Sequence, residues 1–110
     1  MNITVEARHM EVTDSIRQYV ESKASRLPRY YNGIQSADVI LSVDADQSVV
    51  EIVVTASRKS TFVATQRGDD MYACIDQCVG KIVGQLRRHK DRVRDRQGPP
   101  RGQDTQGGAV

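Results

Sequence analysis

Apolar residues recur along this chain with two different periods, and the change from one to the other marks out its elements. Met71, Ile75, Cys78, Val79, Ile82, Val83, Leu86 and Val93 stand at three- and four-residue spacing, which at about 100° per residue collects them on one broad stripe. The spacing predicts one long helix over residues 68–96. Asp69 and Asp70 follow Gly68 as N-cap and first-turn acids, where a carboxylate accepts from unpaired backbone N–H groups and meets the positive end of the helix dipole. A stripe this wide needs a sheet to cover.

The sheet is legible upstream as period-2 alternation. Ile3 and Val5 alternate with polar neighbours over residues 2–7, a short strand suited to an edge. Thr13 then offers an N-cap, and Ile16, Tyr19, Val20, Ala24 and Leu27 define an amphipathic helix that ends before Pro28. A turn follows at Tyr30-Tyr31-Asn32-Gly33. Residues 37–43, 50–56 and 61–66 alternate again, and the turns between them, at 44–48 and 58–60, are too short for a helical crossover. Three such strands make an antiparallel meander. The predicted order is β-α-β-β-β-α, an α+β two-layer sandwich with a four-stranded sheet and two helices on one face.

Composition fits this plan. The 110 residues make one domain with a single core, and with no Trp, one Phe and four Tyr that core must be mostly aliphatic. Residues 97–110, QGPPRGQDTQGGAV, bury too little surface to offset their ordering entropy and are expected to form a disordered tail after a domain at 1–96. No apolar run approaches membrane-spanning length and the N-terminus lacks the basic start and apolar stretch of a signal peptide, so a cytoplasmic protein is expected. Cys74 and Cys78, four residues apart on the predicted helix, suit buried packing as reduced thiols better than a disulfide, zinc or redox motif.

The charge is unevenly placed. Residues 1–80 carry eight Lys/Arg against eleven Asp/Glu, whereas residues 81–96 carry seven (Lys81, Arg87, Arg88, Lys90, Arg92, Arg94, Arg96) against two, Asp91 and Asp95. On the helical wheel Lys81, Arg88 and Arg92 form one solvent-facing row and Arg87 with Arg94 a second, opposite the apolar arc. A solvated helix face laced with i,i+4 pairs would hold more acids. A mildly basic chain that concentrates its surplus on one helix end is arranged to meet a polyanion.

Catalytic chemistry finds no such support. His9 lies in a loop and His89 near the basic helix end, with neither beside a nucleophile, so no enzyme, cofactor or metal site is expected. Asp69, Asp70 and Asp76 read as capping and solvated surface before they read as metal ligands. Gly80 and Gly84, inside the helix, cost stability but permit close approach, either of an RNA backbone beside Arg88 or of a neighbouring strand.

The stretches GDDMYACID (68–76) and KIVGQLRRHKDRV (81–93) closely resemble the ribosome hibernation-promoting factors, also described as the ribosome-associated inhibitor and sigma-54 modulation protein family. NITV (2–5), EVTDSIRQYV (11–20) and KASRL (23–27) resemble the same family in the same order, so the likeness spans residues 1 to about 96. It implies a fold like that of double-stranded-RNA-binding domains. It further implies binding to the small ribosomal subunit and the whole ribosome, over 16S rRNA in the channel for mRNA and the A- and P-site tRNAs, with inhibition of translation and preservation of idle ribosomes in stress and stationary phase. Carried over position by position, the rRNA-facing residues are Lys23, Arg26, Lys81, Arg88, Lys90, Arg92 and Arg94. Lys90 lies nearer the apolar arc than the others. Gly84 stands where relatives often have a basic residue, and Arg87 compensates. The short tail resembles the short members of the family, and the free protein is expected to be a monomer. The rival reading is a general RNA-binding or transcription-modulating protein.

Overall fold

The alternating strands and striped helices assemble as the periodicities require. A computed structural model describes residues 1–97, without the side chains of 58 and 93–97. The expected tail therefore falls, from residue 98 onward, outside the described residues, as does the side chain of Val93. The elements are β1 (Asn2–Arg8), α1 (Asp14–Ala24), β2 (Ile34–Asp44), β3 (Gln47–Ala56), β4 (Thr61–Gly68) and α2 (Met71–Gln97). The sheet order is β1-β2-β3-β4. β1 pairs parallel to β2 across the α1 crossover, and β2, β3 and β4 form the antiparallel meander.

Alternation sorts the strand residues by face. Ala37, Val39, Leu41, Val50, Ile52, Val54, Phe62 and Ala64 point inward and are buried under Val20, Ala24, Cys74, Ile75, Cys78, Ile82 and Leu86 of the two helices. Among the described residues no helix lies over the opposite face. Cross-strand rows there run Thr4–Asp38–Val53–Val63 and Glu6–Ile40–Glu51–Thr65, so it mixes carboxylates, threonines and exposed aliphatics. The arginines in the next row along the strands, Arg8 and Arg67, are each paired to a carboxylate, Glu6 and Asp44 respectively.

Element ends differ from the periodicity in physically instructive ways. Thr13 caps α1 as expected, its hydroxyl accepting from the Ile16 N–H at 3.2 Å. The helix stops at Ala24, short of Pro28, and Leu27 reaches the core from a 3-10 turn spanning Leu27–Arg29. The cap of α2 is Asp70, whose carboxylate accepts from the Tyr72 N–H at 3.0 Å. Asp69 instead takes a hydrogen bond from the Gln47 amide. The β2–β3 connection is tighter than expected: the strands end at Asp44 and resume at Gln47, with Ala45 and Asp46 both at positive φ, the two-residue hairpin that matches strand twist. Gly33 is sterically required, because a Cβ there would stand 2.6 Å from Ser57 Oγ, whose hydroxyl donates to the Gly33 carbonyl.

Candidate nucleic-acid interface

Both helices lie on the same face of the sheet, so the cations they carry share one side of the molecule. The helices are tied through Asp76. Tyr19 Oη donates to its two carboxylate oxygens at 2.8 and 2.7 Å, and Lys23 Nζ lies 3.5 Å from Oδ1 and 5.3 Å from the Tyr19 ring centroid. Tyr72 meets Tyr19 edge to face at 5.0 Å. The hydrogen bond to Asp76 is the main cause that raises the Tyr19 phenol above its ordinary pKa. Asp76 is thus a tether between helices where the sequence suggested only solvated surface. Lys23 is half-buried and shares its charge with this carboxylate, whereas Arg26, just past α1, is exposed.

On its other flank α2 runs antiparallel to the edge strand β4. Lys81 Nζ donates to the Thr65 carbonyl and Gln85 Nε2 to the Val63 carbonyl, both at 2.8 Å. Four helix residues advance about 6 Å and two strand residues about 6.6 Å, so the contact repeats down the pair. One repeat further, Arg88, His89 and Arg92 face Ser60, Thr61 and Phe62, and with Gln85 these residues line a cleft. The His89 ring packs edge to face against Phe62 at 5.3 Å and Tyr31 at 5.1 Å.

The two basic rows therefore diverge. Lys81, Arg88 and Arg92 lean toward β4, and Arg87 lies over the Tyr30 ring, 5.2 Å from its centroid, on the side of the 3-10 turn. Lys81, Arg87, Arg88, Lys90 and Arg92 are all exposed. Arg94 lies on α2, its side chain outside the described residues. Among the described residues the ion pairs are Arg8–Glu6, Lys23–Asp76 and Arg67–Asp44, so Arg87, Arg88, Lys90 and Arg92 pair with no carboxylate there.

The cysteines belong to the core. Cys74 and Cys78 are free and buried, and the Cys78 thiol donates to the Ala64 carbonyl at 3.3 Å. Burial pushes Cys78 up to about 11 and raises Cys74 also. Among the described residues no cluster of three His, Cys, Asp or Glu is suited to a metal and no helix is long and apolar enough to cross a membrane. Sequence reasoning found the cations but missed what orients them: Tyr19, Asp76 and Tyr30 beneath the charges, and the cleft. The spacing of Gln85, Arg88, His89 and Arg92, one helical face, was the available signal for the last.

Fold and surface together define a two-layer α+β domain that presents exposed cations from one helix-bearing face. Residues 3–94 match the family described as sigma 54 modulation protein / S30EA ribosomal protein, and the chain belongs to that family of ribosome-associated factors. It is 36% identical over 97 residues to a ribosome hibernation promoting factor of Azotobacter vinelandii, covering 88% of this chain and 90% of the relative. Identity to the Staphylococcus aureus ribosome hibernation promotion factor is 37% over 87 residues, 77% of this chain and 46% of that longer protein. Among solved structures, the N-terminal domain of Thermus thermophilus Protein Y superposes with a TM-score of 0.75 at 37% identity, over 81% of this chain and 99% of that one. A ribosomal subunit interface protein from Coxiella burnetii, 24% identical, shares the fold with a TM-score of 0.77 over 83% and 99% of the two chains.

Proposed function

We propose that this protein is a cytoplasmic hibernation factor that binds the small ribosomal subunit over 16S rRNA, in the channel that mRNA and the A- and P-site tRNAs would use, and so keeps idle ribosomes from translating. The domain at 1–96 carries the activity. Lys23, Arg26, Lys81, Arg87, Arg88, Lys90, Arg92 and Arg94 are its phosphate contacts. The observation that carries the reading is the exposed run Arg87, Arg88, Lys90 and Arg92, without a carboxylate partner among the described residues, on a helix backed along its apolar stripe by the sheet. Folded RNA is held largely through its phosphates, because the deep major groove of A-form helices leaves little for side chains to read. The names of the relatives support the same partner.

Sedimentation of the full chain with ribosomes through a salt series tests this. Binding is expected to follow the small subunit, with log affinity falling linearly with log salt, and the Arg88→Ala/Arg92→Ala double variant is expected to flatten that slope by about 1.5. Equal retention on any RNA of comparable length would make the protein a general RNA binder instead.

A further inference from the structure

The cleft between the start of β4 and the C-terminal half of α2 combines groups that phosphate contact alone does not require. Arg88 and Arg92 supply two guanidiniums, Ser60 a hydroxyl, and Phe62 and His89 an aromatic wall. The wall is anchored: Phe62 belongs to the buried core, and the half-buried His89 ring stands nearly perpendicular to both Phe62 and Tyr31, at 78° and 81°. Its orientation is thereby fixed before any ligand arrives, which removes an ordering cost from binding. Gln85 commits its amide nitrogen to the Val63 carbonyl, leaving its side-chain oxygen as an acceptor at the same wall.

We propose that this cleft holds a single unpaired nucleotide, its base stacked on the His89 imidazole and its phosphate on Arg88 and Arg92. An aromatic face beside cations is how unstacked bases are held, since every base offers a π-face whatever its identity. The Gln85 oxygen matches an exocyclic base amine, and the Ser60 hydroxyl matches a ribose or phosphate oxygen. An acidic side chain would satisfy the guanidiniums and leave the wall and the Gln85 oxygen unmatched. This proposal rests on the reading above that the helix face meets RNA, and it adds that one nucleotide leaves its stack to enter the protein.

Removing the ring without removing charge separates the two ideas. His89→Ala is expected to weaken ribosome binding about tenfold at every salt concentration with the salt slope unchanged, while His89→Phe stays within about twofold of the parent. Wild-type binding with His89→Ala equally tight would overturn the nucleotide site and leave the ribosome reading intact; loss of ribosome binding by the wild-type chain itself would remove that reading. His89→Phe as weak as His89→Ala would also overturn stacking. A measurement on the unaltered chain guards against loosened packing in the variants: the His89 and Phe62 ring resonances are expected to shift saturably with nucleoside 5′-monophosphates and not with ribose 5-phosphate. Saturation at micromolar concentration identifies a free nucleotide as the ligand, and saturation only at millimolar concentration identifies a nucleotide within RNA. Rings unmoved by the monophosphates and by ribosomal RNA would refute the site.

Discussion

Arg88 Nη1 lies 3.5 Å from the point that a Cβ on Gly84 would occupy, so the guanidinium folds back over a bare stretch of helix. Gly80, one turn earlier, has nothing within 4 Å of its own Cβ position. Neither glycine is pressed against a strand. Gly80→Ala is therefore expected to raise stability by about 0.5–1 kcal/mol, the helix-propensity difference, with ribosome affinity unchanged. Gly84→Ala should stabilise similarly yet weaken ribosome binding, because its methyl stands beside Arg88 where a phosphate would come. Urea midpoints and sedimentation of both variants decide it: a stabilised Gly84→Ala with parental affinity means that RNA keeps away from this turn.

The cations differ in how freely they can meet phosphate. Lys23 is tied to Asp76 and Lys81 to the Thr65 carbonyl, whereas Arg88 and Arg92 have no carboxylate partner among the described residues. Lys23→Ala and Lys81→Ala are each expected to change the salt slope by less than Arg88→Ala, which should lower it by about 0.7–0.9. Equal slope changes for all three single variants would show that the two lysines release their protein partners on binding.

Asp76 links the helices at the cost of a negative charge on the basic face. Asp76→Ala removes hydrogen bonds from Tyr19 and frees Lys23. A stability loss of about 0.5–1.5 kcal/mol is expected, together with tighter ribosome binding at low salt. Thermal unfolding and sedimentation read the two effects separately, and weaker binding from a folded variant would contradict the assigned role.

Ala45 and Asp46 sit at φ 51° and 65° in the β2–β3 hairpin, a left-handed conformation in which a side chain is disfavoured. Asp46→Gly should stabilise the protein by about 1 kcal/mol. An unchanged or lower urea midpoint would count against this turn geometry.

Burial raises the Cys78 thiol from 9.0 to about 11, so the folded chain holds this proton more tightly than the unfolded one. The contribution is complete below about pH 9 and is lost as pH climbs through about 11. Wild type is expected to lose more stability over that window than Cys78→Ala, whose other titrating groups are the same. Parallel pH curves for the two proteins would place the thiol in water.

Much of this fold was legible because its two periods are clean: alternation around Val39, Leu41, Ile52 and Val54 has one buried face, and the stripe through Ile75, Ile82 and Leu86 has one covered side. What resisted were choices made by distant residues. Asp69 and Asp70 are equivalent cap candidates until Gln47, on another element, occupies the first. The parallel pairing of β1 follows from the α1 crossover and leaves no trace in Ile3 and Val5. In the candidate interface, positive charge is a property of residue type and was visible, but the Tyr19–Asp76 bond joins residues 57 positions apart and no local pattern announces it. Lys81 looked like a free cation because the Thr65 carbonyl it meets becomes available only once β4 lies at a sheet edge.

The uncovered sheet face, with Glu6, Asp38 and Glu51 in its rows and its arginines neutralised by neighbours, lies opposite the helices that bear Arg87, Arg88, Lys90 and Arg92. Positive charge is consequently concentrated toward the C-terminal half of α2, away from the carboxylates of that face. In the field of a large polyanion such a body experiences a torque before it touches anything, and it arrives with that end of α2 leading.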